Sequence, residues 1–487
     1  MSVGRDTTYN LVGGLIPVIG ALITVPLYVS LIGPARYGVL TIAWIFLGYF
    51  GLFDLGLGRA TSFRIAALRD GSSQERSDTF WAAIAVNLAV GVLGGAVLWG
   101  AAYYFFAHVF KAPEALRSEI VSAVPLLALS LPVATLTGVL TGAMQGREKF
   151  LGINVVSVTS SLLFQWLPLA VAWRWGPNVG HILIAALGAR LAALGVLAGM
   201  CRTELVRGHA VRLIRAEIPA LMKYGGWVTV AALLSPLLVI VDRFAIGATL
   251  GAVAVAAFSI PYQPAKQIQI LPAALTNALF PKISASSDAA QADYARSATL
   301  TLASLVSLPV LGGIFVADPA LRLWVGASLG AQAAPVGQIL LLGFWVNAFA
   351  MVPYTSLQAS GRPDLVTKMQ IGEIPLYFLA LYFGLANFGL VGAAGAFLFR
   401  CVIDYLALSW AFKRRFPALI VLGANFSVLS LGAYLSTVWP ITDWRWWACA
   451  IGTGTLMLTL GWATLPESVK RQIIGRLRRV SRPVSLT

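Results

Sequence analysis

Two long apolar runs open the chain, one from Tyr9 to Ile32 and a second ending at Gly56-Leu57-Gly58-Arg59, joined by the short turn Gly33-Pro34-Ala35-Arg36-Tyr37-Gly38. Each reaches the roughly twenty residues that a helix needs to cross a bilayer, and neither has the polar face that a soluble helix shows to water. Residues 9–59 therefore read as a transmembrane hairpin. Further apolar stretches follow at 79–107, 118–143, 152–175, 178–200, 219–247, 250–280, 297–319, 334–358, 366–386, 389–412, 417–438 and 444–465. With the hairpin they predict an all-α polytopic membrane bundle of about fourteen spans. In the eighth span Pro261, Pro264 and Pro272 interrupt the helix. A broken helix at membrane depth is tolerated where it lines a cavity or is buried in protein.

Composition agrees with the pattern: of 487 residues, 58% are hydrophobic and 11% charged, against about a quarter charged in a soluble domain. The net charge of +16 is spread through short loops and is not gathered on a soluble module, so it does not indicate nucleic acid. It alternates instead. Arg5, the group Arg59, Arg64, Arg69 and Arg76, the loop pair Arg147 and Lys149, the segment 201–218, Lys282, Arg362 and the tail 466–487 fall on one side of the predicted membrane; Arg36, Lys111, Arg117, Arg174, Arg322 and Arg445 fall on the opposite one. Lys and Arg concentrate in cytoplasmic loops, so both termini are expected in the cytoplasm of a multi-pass inner-membrane protein. The remaining positive charge is suited to anionic lipid.

The pattern repeats. Gly146-Arg147 after the fourth span has its counterpart in Gly361-Arg362 after the tenth, and Tyr9, Pro17, Gly33 and Arg64 fall near Trp227, Pro236, Gly251 and Lys282, an offset of about 218 residues. Arg190 similarly falls near Arg400. Two six-helix lobes related by a pseudo-two-fold axis along the membrane normal, around a central cavity, are the expected architecture. Its parts are an N-lobe over 1–200, a cytoplasmic linker over 201–218, a C-lobe over 219–412, two additional spans over 413–465 and the basic tail.

An ionisable residue at mid-bilayer costs at least ~2.5 kcal/mol unless it faces a partner or a cavity. Arg190 has no acid at helical spacing in its own span and must face protein, water or ligand. Arg400 and Asp404, four residues apart, can pair on one helix face. Asp242 and Arg243 are adjacent, point about 100° apart, and are expected to need partners elsewhere. Glu373 is expected to pair with Lys368. Tyr262, Lys266, Gln269 and Asn277 form a polar stripe on the broken eighth span, with a cation for phosphate, an amide for hydrogen bonds and a ring for stacking. Asp54, Arg59 and Arg64 mark the cytoplasmic mouth. The isolated Cys201, Cys401 and Cys449 and the scattered histidines make no metal site. No Gly-x-x-x-x-Gly-Lys loop for ATP, no cofactor motif and no nucleophile–base pair occurs, so neither an ATP-driven pump nor an enzyme is expected.

Asn10, Pro17, Pro26-Leu27-Tyr28, Leu31-Ile32-Gly33 and Tyr37-Gly38, followed by Phe50-Gly51-Leu52-Phe53-Asp54-Leu55-Gly56-Leu57-Gly58-Arg59, resemble the polysaccharide transporter (O-antigen flippase-like) branch of the multidrug/oligosaccharidyl-lipid/polysaccharide exporter superfamily. The loops Gln145-Gly146-Arg147 and Ala359-Ser360-Gly361-Arg362-Pro363-Asp364 resemble it too. This likeness implies a flippase that carries a polyprenyl-pyrophosphate-linked oligosaccharide across a bacterial inner membrane by alternating access, alongside membrane lipids and other glycan-assembly proteins. It implies a cationic cavity, for which Arg243, Lys266, Arg190 and Arg400, with Tyr262 and Gln269, are the candidates, and it leaves Asp242 or Asp404 as candidates for ion coupling. The first span lacks the basic residue of the lipid II flippase branch. Two other functions compete: a multidrug/cation antiporter of the same superfamily would need an acidic cavity, and a glycan polymerase or ligase would need a large outer loop.

Overall fold

The computed structural model describes residues 3–49, 57–69, 72–208, 210, 240–412, 419–471 and 474. Every regular element among them is helical, as the apolar pattern predicts. The chain divides into two compact units, Met1–Ala256 and Ala257–Thr487. The first holds α1 (Val3–Tyr49), α2 (Leu57–Ala67), α3 (Ser73–Tyr104), α4 (Glu114–Gly146), α5 (Phe150–Trp175), α6 (Val179–Cys201) and α7, described over 240–249. The second holds most of α8 (Ala252–Lys266), then α9 (Ile270–Ser284), α10 (Asp288–Val325), α11 (Ala327–Ala359), α12 (Pro363–Ala411), α13 (Leu419–Val438) and α14 (Trp444–Thr464). Residues 240–256, placed in the second lobe by the repeat, cluster with the first unit: the Lys111 amide donates to the Gly247 carbonyl at 3.0 Å, and Lys111 Nζ donates to the Thr249 carbonyl at 2.8 Å.

Nine helices among the described residues are long and apolar enough to cross a membrane. The chain is a multi-pass membrane protein. Two of those helices hold two predicted spans each, joined where a glycine adopts left-handed backbone: Gly33 (φ 81°) in α1 and Gly389 (φ 57°) in α12. A Cβ is poorly tolerated at such φ values, which is why glycine stands at each break. The predicted break in the eighth span is also present, as the 3-10 turn Gln267–Gln269 between α8 and α9. Several positive-φ positions are spaced as the expected repeat would space them. Positive φ at Gly33, Glu148 and Gly176 recurs at Gly251, Gly361 and Gly389, about 213 to 218 residues later.

Local chemistry fixes the ends and the seams. Ser72 and Glu75 form a reciprocal cap at the start of α3, the Glu75 amide donating to Ser72 Oγ at 3.2 Å and the Ser72 amide to Glu75 Oε2 at 3.3 Å. Between helices, where lipid offers no hydrophobic gain, polar side chains and small residues hold the contacts. Tyr28 of α1 donates to the Gln165 carbonyl of α5 at 2.8 Å, and Gln165 Nε2 returns to the Pro17 carbonyl at 3.1 Å. In the second unit Gln338 of α11 donates to the Ile314 carbonyl at 3.1 Å and to Ser436 Oγ at 2.9 Å, and Trp345 donates to Ser307 Oγ at 2.8 Å, tying α11 to α10 and α13.

Glu119 of α4 joins three helices of the first unit. Its Oε2 meets Arg36 of α1 at 3.2 Å, and its Oε1 accepts the Val179 amide at the start of α6. The truncation Glu119→Ala leaves both donors without their acceptor and is expected to destabilise the protein by about 1–3 kcal/mol. The melting midpoint in detergent should fall by a few degrees with Glu119→Ala and by less with Glu119→Gln; equal midpoints would remove the clamp.

Candidate functional site

In the first unit, polar faces of three helices converge on a cavity of about 320 Å³. Ser157, Ser160, Ser161 and Phe164 recur at one-turn spacing along α5, Thr137 and Thr141 lie four apart on α4, and Arg190 projects from α6. The Arg190 guanidinium sits 4.8 Å over the Phe164 ring centroid, a cation–π contact that holds it in place. Its Nε is buried and finds no hydrogen-bond partner among the described residues. A fixed cation with an unused donor, set among hydroxyls, suits an anionic, hydroxyl-bearing ligand.

The second unit places a different cluster on the two arms of α12. Arg400 lies 5.3 Å over the Phe397 ring and 5.6 Å over Tyr377. No ion pair within 4.0 Å joins it to Asp404 among the described residues, contrary to the expectation from their spacing: the guanidinium stacks on rings, and Asp404 turns toward the opposite arm. There its carboxyl faces that of Glu373 within hydrogen-bonding reach. Glu373 is only 3% exposed, and its oxygens meet no N–H or O–H donor among the described residues. Lys368, its expected partner, pairs instead with Asp364 at 3.3 Å, one turn away on an exposed face. Two carboxyls in this position repel each other, and Arg400 is near enough to act on both.

Asp242 and Arg243, expected to need partners elsewhere, also meet each other. Both are buried, and they pair with each other: Arg243 Nη1 and the Arg243 amide both donate to Asp242 Oδ1, at 2.8 and 2.7 Å. The directions of the two Cα–Cβ bonds do diverge, but the long Arg side chain folds back over the short carboxylate. The stripe on the eighth span is split by its own break. Tyr262 is buried against Phe258, Phe344 and Phe397, and Gln269 donates to the Phe344 carbonyl at 2.7 Å. Lys266, by contrast, is exposed and makes no hydrogen bond or ion pair among the described residues, and Asn277 is exposed too. Of the cytoplasmic-mouth residues, Arg59 is exposed and Arg64 half-buried on α2, while Asp54 lies outside the described residues, as do Trp227 and Pro236 of the repeat. No group of three metal-ligating side chains occurs among the described residues.

These features define a multi-pass helical membrane protein that keeps isolated basic groups, aromatic rings and a carboxyl pair inside its spans. The chain belongs to the polysaccharide biosynthesis protein family, whose model matches residues 3–287; the family read from the opening hairpin and the Gly-Arg loops is thereby upheld. It is 29% identical over 419 residues to a Shigella flexneri protein named "Putative O-antigen transporter", covering 85% of this chain and 98% of that one. Among solved structures it resembles the lipid II flippase MurJ in an inward closed conformation, with a TM-score of 0.69 at 13% identity over 96% of this chain and 100% of that one. It also resembles an inward-facing multidrug resistance MATE family transporter, with a TM-score of 0.65 at 16% identity over 86% and 99%. At such identities these two establish the fold.

Proposed function

We propose that the protein is a flippase that moves a polyprenyl-pyrophosphate-linked oligosaccharide across a bacterial inner membrane by alternating access, both termini being cytoplasmic. The observation that carries this reading is the arginine inside each unit, Arg190 over Phe164 and Arg400 over Phe397 and Tyr377, held by rings with a donor uncommitted. Such cations offset the cost of taking a pyrophosphate out of water, whereas a cationic drug would be repelled by them. The family and the O-antigen transporter relative support the glycan part of the substrate. The Glu373–Asp404 pair is the candidate for ion coupling, with Asp242, locked to Arg243, the weaker one. Arg59 and Arg64 would meet the headgroup at the cytoplasmic entrance, beside the anionic lipid surface.

The test is reconstitution into liposomes carrying a fluorescent polyprenyl-pyrophosphoryl sugar, with a membrane-impermeant reductant reporting which leaflet holds the dye. Protein-dependent transfer to the second leaflet is expected; accessibility equal to that of empty liposomes would overturn the reading. Within it, Lys266→Ala is expected to slow transfer several-fold at unchanged protein level, because the exposed ammonium has no structural partner to lose. A wild-type rate would remove Lys266 from the path.

A further inference from the structure

We infer that the cavity between α4, α5 and α6 is a binding site for a phosphorylated sugar, Arg190 taking the phosphate and the hydroxyls of Ser157, Ser160 and Thr141 taking the sugar. The inference rests on the flippase reading for its biological setting, but its evidence is separate. The cavity measures about 320 Å³, at the lower end of the roughly 300–1,000 Å³ typical of small-molecule sites. That volume is suited to one sugar with its phosphate and too small for a long glycan.

The three hydroxyls named are the ones left free to act. Ser161 and Thr137, on the same faces, are already spent on their own helices, donating to the Ser157 carbonyl at 2.8 Å and to the Val133 carbonyl at 2.7 Å. Ser157, Ser160 and Thr141 make no such bond among the described residues. Arg190 supplies the only cation on the cavity wall among the described residues, so one anionic group is expected per ligand. The contact with the Phe164 ring holds the guanidinium at the cavity wall, and a guanidinium fork suits two parallel N–H···O contacts to a phosphate. Gln165, at the same wall, is committed through its Nε2 to the Pro17 carbonyl and keeps α1 in place beside the site.

The full-length protein in detergent is tested by equilibrium binding to octyl glycosyl phosphodiesters bearing glucose, galactose and their 2-acetamido forms, with inorganic phosphate and octyl glucoside as controls. At least one glycosyl phosphodiester is expected to bind well above either control. Arg190→Gln is expected to weaken it roughly tenfold or more, the scale of one lost charge-assisted contact. Arg190→Lys should restore part of the loss, since the charge returns without the planar fork. Ser160→Ala and Thr141→Val, which break no side-chain hydrogen bond among the described residues, should weaken the diester several-fold without changing the affinity for phosphate. Equal binding of phosphate and diester, no binding of any diester, or unchanged affinity in Arg190→Gln would each overturn the inference. Failure here is distinguishable from failure of the flippase reading: unchanged diester affinity in Arg190→Gln by a protein that still transfers lipid refutes this site alone, whereas Arg190-dependent diester binding by a protein that transfers no lipid refutes the flippase and leaves the site standing.

Discussion

Arg400→Met is expected to cost the protein about 3 kcal/mol of stability, while the triple change Arg400→Met, Glu373→Gln, Asp404→Asn recovers most of that loss and still fails to transport. Removing one member of a buried charge cluster leaves the others uncompensated, and such losses run to about 3–5 kcal/mol for contacting pairs. The lower end applies because Arg400 acts on Glu373 and Asp404 through space and not through a contact within 4.0 Å. Turning both carboxyls into amides removes the reason the cation is needed for folding, and the amides can hydrogen-bond to each other. The readouts are melting midpoint in detergent and lipid transfer in liposomes. A single Arg400→Met that melts like wild type would show that the three groups are not electrostatically linked, and a triple variant that transports would exclude them from function.

Much of this was legible in the sequence, and the misses have a common physical origin. Apolar run length fixed the spans, because in lipid the backbone must bond to itself and the helix is nearly forced. The turns were legible too, from Gly33 and Gly361. Pairing between side chains was not. Helical spacing assigned Asp404 to Arg400 and Glu373 to Lys368, yet the hairpin of α12 brings Glu373 and Asp404 together from opposite arms, a contact about thirty residues apart that no local periodicity encodes. Likewise Arg190 stood out as a charge without an acid, but the hydroxyls around it come from α4 and α5. The regular Ser157, Ser160, Phe164 spacing on α5 was the available signal, and it identifies a face without identifying what the face meets.

The contact that sets this cluster is made by two glycines, and a side chain at either should undo it. On α12, Gly384 and Gly392 flank the turn at Gly389, and their backbones touch: a Cβ added at Gly384 would lie 2.5 Å from the Gly392 carbonyl oxygen, and one added at Gly392 would lie closer still to that of Gly384. Backbone atoms cannot rotate out of the way, so the arms must separate. Gly392→Val is therefore expected to destabilise the protein by about 3 kcal/mol or more, at the upper end for overpacking. Glu373 and Asp404 sit about eleven or twelve residues beyond this contact on their respective arms, roughly 16–18 Å along each helix, which is why they meet at one depth. Parting the arms parts the carboxyls, so Gly392→Ala, the milder change, should lose transport before it loses the fold. Gly395, also on α12, has nothing within 4 Å of where its Cβ would be. Gly395→Ala should match or exceed wild-type stability by up to about 1 kcal/mol, since Ala is the better helix former. Equal melting of Gly392→Val and Gly395→Ala would refute the close contact; transport lost equally in both alanine variants would refute its link to the carboxyl pair.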